Sequence, residues 1–370
     1  MVIRLLALRP GRSGATLMHR SRAVTEASDS PDLTPLLEIV ARGESLSADQ
    51  AEHAFDAFMS GAASEVQMAG LLMGLQVRGP SPTEVAGGVK ALRSAMVLVG
   101  STDPDLLVDT AGTGGGSVTT FNISTAAAFV AAGAGAPVAK HGNRSFTSRS
   151  GSADVLEALG VRIDLTADQM GAVLAEAGIV FMFAPLLHPA MRHVGPVRRG
   201  LGVRTMMNVL GPLTNPAGAR RQVIGVADPE LLDLLPEALR ALGHIRALVV
   251  HGEAGLDEVS PLGPTRVAEL KDGEVHAYTL ELADVGLDPV DADALAGGEP
   301  EDNARIVRAV LGGEGGAPRN AVLLNAAAAL LVGDRAPGWP EAVALAASVI
   351  DDGRAQQALD RLVEVSNAVG

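Results

Sequence analysis

Three motifs follow one another closely: Gly112-Thr113-Gly114-Gly115-Gly116, Asn122-Ile123-Ser124-Thr125 and Lys140-His141-Gly142-Asn143-Arg144-Ser145. They lie in a stretch of 44 residues, between Asp109 and Asp154, that holds no carboxylate, although the chain's net charge is −14. What remains there are backbone N–H groups, hydroxyls and the cations Lys140, Arg144 and Arg149. Phosphate needs donors close by and no competing anion, so this is the chemistry of a phosphate cradle. A triple glycine alone would be no more than a tight turn. The following helix start, with Asn122, Ser124 and Thr125, adds the donors that an anion loop uses. Two better-known phosphate patterns are absent. No Gly-Lys-Ser/Thr ends a Walker loop. The dinucleotide pattern G-x-G-x-x-G fails at its third glycine, where Ser117 or Thr119 stands.

Further along, the residue types change. In the 140–144 motif, Lys140 and Arg144 bring charge, Asn143 a directional amide, and Gly142 close backbone approach. His141 by itself reads equally as a core histidine or as a ligand-facing one. Asp257-Glu258 lies on a Gly-rich turn beyond an apolar run at 247–250. Adjacent carboxylates at a strand end can hold Mg²⁺, which takes one or two carboxylates, waters and substrate phosphates. Asp351-Asp352 and Glu301-Asp302 read as ordinary solvated pairs. Arg198-Arg199 leads into Arg204, and a guanidinium here suits two-point pairing with a substrate carboxylate. Arg199 reads as solvated.

Elements must hold these residues in place. Apolar runs at 106–108, 137–139, 179–183, 223–226 and 247–250 read as strands, alternating with helical stretches such as 124–132 and one capped by Thr166-x-x-Gln169. That alternation predicts an α/β domain with a mostly parallel central sheet and helices on both faces. Segments 266–270 and 275–280, around Lys271-Asp272-Gly273-Glu274, predict an antiparallel hairpin at the sheet edge. The tail from Asn320 reads as helical. Before the sheet, residues 33–100 predict a small all-helical domain. Ser47-x-x-Gln50, Ser64-x-x-Gln67 and Ser81-x-x-Glu84 are capping boxes, the last with Pro82 at the first helical position. Four short helices cannot bury a large core alone, so this domain needs something further to pack on.

Composition excludes other classes. At 370 residues and 47% hydrophobic, the chain is long enough for two domains with sizeable cores. Its acidity disfavours nucleic-acid and anionic-membrane partners. One Trp and one Tyr are too few for base-stacking platforms. There is no cysteine, which rules out disulfides and fits a cytoplasmic protein. No run has the length of a membrane-spanning helix. Residues 1–30 hold five Arg, and the first acid is Glu26. Such a start can be a targeting peptide, but Pro10 and Gly11 interrupt any amphipathic helix, so 1–32 is expected to be a disordered extension.

Taken together and in order, these segments resemble the anthranilate phosphoribosyltransferases from about residue 33 onward. The carriers are Gly112-Thr113-Gly114-Gly115, Phe121–Thr125, Lys140–Ser145, Gly151-Ser152-Ala153-Asp154, Arg198-Arg199, 208–216 and Gly255-Leu256-Asp257-Glu258. The resemblance implies a fold of nucleoside phosphorylase/phosphoribosyltransferase type, with 189–214 returning to the small domain and 101–188 and 215–370 forming the large one. It also implies a homodimer through the small helical domain. Phosphoribosyl pyrophosphate would be held by Gly112, Gly115, Thr120, Asn122, Ser124, Thr125 and Lys140, with Ser152 near the same ligand, and His141, Gly142 and Ser148 would also bind substrate. Asn143 and Arg198 would contact anthranilate, and Lys140, Asn143 and Arg198 would carry the reaction. Asp257 and Glu258, with Ser124, would bind Mg²⁺. The chain departs from the family at Gly116, where Asp is usual, which implies one metal or ribose contact fewer. The same architecture serves a pyrimidine-nucleoside phosphorylase and a noncatalytic nucleic-acid-binding relative. Asp257-Glu258 and the 140–144 motif speak against the first, and the charge against the second.

Overall fold

The computed structural model describes residues 32–145 and 149–370. The extension expected at 1–32 lies, but for its last residue, outside them, as does Ser148. Four helices come first: α1 (Thr34–Ala41), α2 (Ala48–Ser60), α3 (Glu65–Arg78) and α4 (Pro82–Ser94). Ser47, Ser64 and Ser81 close the three reciprocal capping boxes that the spacing predicts. Glu84 does more than cap. Fully buried, it also accepts from the Leu46 N–H at 2.8 Å and pairs with Arg78, so it ties the start of α4 to the start of α2.

The larger part runs β1 (Val108–Gly112), α5 (Ile123–Gly133), β2 (Val138–Gly142), α6 (Ser152–Ala158), α7 (Ala167–Ala177), β3 (Ile179–Phe183), α8 (Ala184–Leu187), α9 (Met191–Leu201), α10 (Met207–Leu210), β4 (Arg221–Gly225), α11 (Leu231–Ala241), β5 (Arg246–Gly252), β6 (Thr265–Lys271), β7 (Glu274–Leu280), α12 (Pro300–Leu311), α13 (Ala317–Val332), α14 (Trp339–Asp351) and α15 (Arg354–Ala368). The strands form one seven-stranded sheet of order β3-β2-β1-β4-β5-β6-β7. The first five in that order are parallel, and β6 and β7 make the antiparallel edge hairpin.

Two strands are displaced from their sequence reading. β1 begins at Val108, where the run 106–108 was expected to end, and continues into the glycine cluster, with Gly112 opposite Gly225. β2 likewise takes in Lys140, His141 and Gly142, which were expected to follow it. Hydrophobicity marks only the buried start of each strand, whereas backbone pairing carries it to the polar end. Several helices were not named in the sequence reading, α11 and α12 among them. In α11, Pro236 sits inside the helix and reads as a breaker. In α12, Glu301 and Asp302 form the first turn, and Asp302 accepts from the Glu299 N–H at 3.2 Å, so this pair is a helix start rather than idle surface.

Helices cover both faces of the sheet. On one, α5 and α13 pack against β1 and β4 within a large apolar core. On the other, α11 covers β5 and β6 and also packs on α4. There the sheet's second apolar face (Ile224, Val249, Ala268) merges with the core of the helical bundle. The further packing that the four short helices need therefore comes from the same chain: α9 lies on α2 and α3, and α10 on α4. Among the described residues no helix is long and apolar enough to cross a membrane.

Candidate active site

Strand order reverses between β1 and β4, and open α/β sheets bind ligands at the carboxyl ends of strands at such a point. The glycine loop leaves β1 here and is tied down on both sides. Thr113 N–H donates to Gly225 O at 2.9 Å, and Ser117 N–H to Gly255 O at 2.9 Å. Gly114 and Gly115 have φ of 69° and 86°, the left-handed region that glycine enters without strain.

Carboxylates absent from this stretch of sequence return in space. A Cβ on Gly112 would stand 3.4 Å from Asp257 Oδ2, and one on Gly116 would stand 2.8 Å from Asp257 Oδ1. The Gly114 N–H lies close enough to the Asp257 carboxylate to act downward on its pKa. Glu258 lies beside Ser124, at the N-terminus of α5, whose N–H and hydroxyl act to lower its pKa against the upward push of burial. The anion-binding groups thus face two acids, and burial raises the pKa of both. Glu258, further repelled by Asp257 and only partly relieved by Lys140, is pushed up to about 8. Among the described residues no third Asp, Glu, His or Cys joins them. Two adjoining half-buried carboxylates and the Ser124 hydroxyl are an all-oxygen set. That set suits a hard divalent cation whose remaining ligands are waters and phosphates.

Lys140 is buried beneath the loop. Its ammonium donates to Thr110 O, to Thr110 Oγ1 at 3.1 Å and to Ser124 Oγ at 3.4 Å, so its three N–H groups are engaged within the fold. Burial lowers its pKa, and Asp109 and Glu258 oppose that. Thr125 Oγ1, one residue further into α5, is buried without a hydrogen-bond partner. Asn122 is not a free donor. Its Oδ1 accepts from Asn303 at 2.9 Å and from Ser150 at 3.2 Å, and its Nδ2 donates to Ser150 O. Thr120 lies half-buried on the approach to α5, beside Gly297. Ser152 donates to Asn143 O at 3.2 Å, and a Cβ on Gly142 would come within 2.3 Å of its hydroxyl. Arg144, expected to face a ligand, instead bridges Asp154 at 2.6 Å and Glu157 at 2.5 Å and stacks on Phe183. Nearby anions simply outcompete the cradle for it. Arg149 is exposed.

Beside β2 lies a cavity of about 630 Å³, within the range of small-molecule sites. His141, Asn143, Pro185, His188, Met207 and Arg198 contribute to its lining, with Arg199 exposed at the rim. Arg198 is half-buried, desolvation lowers its pKa, and it makes no ion pair among the described residues. The Nδ2 of Asn143 likewise has no partner among them, while its Oδ1 accepts from Arg144 N–H. His141 and His188 face each other Nε2 to Nε2 at 3.2 Å. In the neutral pair one of the two rings donates to the other. Burial depresses both pKa values, to about 3 for His141 and about 4 for His188.

Two residues that support this site escaped the sequence reading. Asn325, buried in α13, accepts from Val259 N–H and donates to Val259 O, both at 2.9 Å, which fixes the backbone just after Glu258. It is the one polar residue between 321 and 332, and that isolation was a usable signal. Asn215 braces β2 through Ala139 O at 2.8 Å and holds the buried Asp109 at 2.9 Å. Asp109 also receives His141 N–H.

Residues 34–96 match the glycosyl transferase family, helical bundle domain, and residues 104–356 match the glycosyl transferase family, a/b domain. This is the class that a helical bundle beside a mostly parallel sheet defines. Anthranilate phosphoribosyltransferase of Rhodopseudomonas palustris (strain BisA53) is 51% identical over 336 residues, which cover 91% of this chain and 98% of that one. Among solved structures, anthranilate phosphoribosyltransferase from Thermus thermophilus superposes with a TM-score of 0.85 at 46% identity, covering 90% of this chain and 99% of that one. The enzyme from Saccharomyces cerevisiae, in complex with PRPP and Mg, does so with a TM-score of 0.82 at 27% identity, covering 92% and 99%. The chain belongs to the anthranilate phosphoribosyltransferase family.

Proposed function

We propose that the chain moves the 5-phosphoribosyl group of phosphoribosyl pyrophosphate onto the amine of anthranilate and releases diphosphate, a step of tryptophan biosynthesis. One observation carries the reading. At the carboxyl ends of the neighbouring strands β1 and β2, a preformed glycine loop facing two acids adjoins a cavity that holds the unpaired Arg198 guanidinium. The loop suits a diphosphate with its cation. The cavity suits a small planar acid, whose carboxylate Arg198 pairs and whose amine the Asn143 amide orients. The yeast relative's complex with PRPP and Mg supports the donor and the ion.

In this reading ribose C1 becomes cationic as the C1–O bond to diphosphate breaks, and the anthranilate nitrogen closes on it. Loop N–H groups and the buried Lys140 charge beneath them stabilise the departing anion electrostatically. Asp257 and Glu258, with Ser124, would hold Mg²⁺, which when bound lends positive charge to diphosphate oxygens. Arg198 and Asn143 contribute by positioning. Attack leaves the nitrogen as an acidic arylammonium with two protons; one stays on the product, and the other passes to water or to the departing diphosphate, so no strong base is required. The reading includes a homodimer through the helical domain, for which Val66 and Val77, both exposed on α3, supply apolar surface. Mixing the protein with anthranilate, phosphoribosyl pyrophosphate and Mg²⁺ should cause time-dependent loss of anthranilate fluorescence. Persistent fluorescence at high enzyme concentration would sink the proposal.

A further inference from the structure

Arg204 stands between the two halves of the site. Its backbone belongs to the helical side: Gly202 ends α9 in the left-handed conformation, and Met206, Met207 and Leu210 are buried in the bundle core. Its side chain crosses to the other side. Nη2 donates to Gly114 O at 3.1 Å, and the guanidinium lies against Gly115, where a Cβ would fall 1.4 Å from Nη2. Gly115 is therefore constrained twice, by its positive φ and by this guanidinium. Arg204 is exposed and makes no ion pair among the described residues, though its charge acts on Asp257. A carbonyl satisfies little of a group with five N–H donors. Nor is Arg204 directed at the cavity: its neighbours Val203 and Met207 line it, while its own side chain lies on the loop.

We infer that Arg204 is a binding residue for the diphosphate end of the phosphoribosyl donor. This rests on the transferase reading and extends it. In the ligand-free chain the guanidinium waits on the Gly114 carbonyl. When diphosphate enters the loop, Arg204 turns its fork onto the phosphate oxygens, a stronger pairing than the one it leaves.

The test compares the parent with Arg204→Met and Arg204→Lys, using calorimetric binding of inorganic diphosphate with Mg²⁺, thermal melting, and KM for both substrates. Loss of a charge-assisted contact should weaken diphosphate binding and raise the donor KM roughly ten- to a hundredfold in Arg204→Met. Anthranilate KM extrapolated to saturating donor and the melting temperature should stay near the parent values, and Arg204→Lys should recover part of the loss. Unchanged diphosphate affinity would overturn the inference. So would parallel losses in both substrates with a lowered melting temperature, which would make Arg204 a structural brace. A parent that binds diphosphate but turns nothing over would end the transferase reading and leave the inference standing. A parent that binds no diphosphate would end both.

Discussion

Arg198 and Gly116 show what single positions contribute. Arg198 is a guanidinium held half-buried with no anion to meet it among the described residues, and burial of an unpaired charge is costly unless a ligand supplies the partner. Arg198→Ala should raise the anthranilate KM roughly tenfold or more while kcat falls less, because a positioning contact is lost from ground and transition states alike. Collapse of kcat at unchanged KM would instead place Arg198 in the reaction step. Gly116 stands where the family usually has Asp, and Asp257 Oδ1 comes within 2.8 Å of the Cβ it lacks. Gly116→Asp would set two carboxylates in contact. We expect this variant to melt below the parent without metal and to regain more on addition of Mg²⁺. An equal response to Mg²⁺ in the two proteins would remove the metal from this side of the pocket.

At the scale of elements, the acidic pair is positioned from behind by a helix. α13 is apolar along most of its length, and Asn325 interrupts it to clasp both backbone groups of Val259. Asn325→Leu fills similar space but strands that N–H and C=O without partners, at about 2–4 kcal/mol for two buried groups. Urea unfolding with and without Mg²⁺ should show lower stability and a smaller gain from the ion, since Glu258 precedes the freed residue. An unchanged midpoint would mean that Val259 finds other partners. The helix start read from Ser124 and Thr125 as an anion receptor already meets an acid of its own chain, because Glu258 lies beside Ser124. Local sequence contains the receptor, but the competing carboxylate comes from a loop 134 residues away.

For the whole molecule, His141 and His188 face each other in the cavity that Leu92 and Met207 of the bundle core also line. Both histidines are depressed from 6.5, to about 3 and about 4, so the folded protein holds them neutral while the unfolded chain protonates them near 6.5. Their contribution to stability is therefore complete above pH 6.5 and is lost as the pH falls towards 4 and below. Protonating both would also set two N–H groups against each other across 3.2 Å. His188→Gln should lose less melting temperature than the parent between pH 7 and pH 4.5. Subtracting the two curves isolates the histidine from carboxylates that titrate in the same range. Parallel curves would show that His188 already titrates normally.

The chain's order of residues was enough to determine the capping boxes at Ser47, Ser64 and Ser81, the edge hairpin and the identity of the glycine loop, because each depends on neighbours within a few positions, and the alternation of strands with helices was enough to predict the parallel sheet. It also separated Asp257-Glu258 from the other acidic pairs by their place after an apolar run. Only the tertiary structure decided which of these groups are available to a ligand. Arg144 is consumed by Asp154 and Glu157, Asn122 by Asn303 and Ser150, and Lys140 by Thr110 and Ser124, whereas Arg198 is left unpaired and Arg204 reaches the loop. Charge and hydrogen bonding act through distance in space, and the distances that matter here join residues tens to hundreds of positions apart.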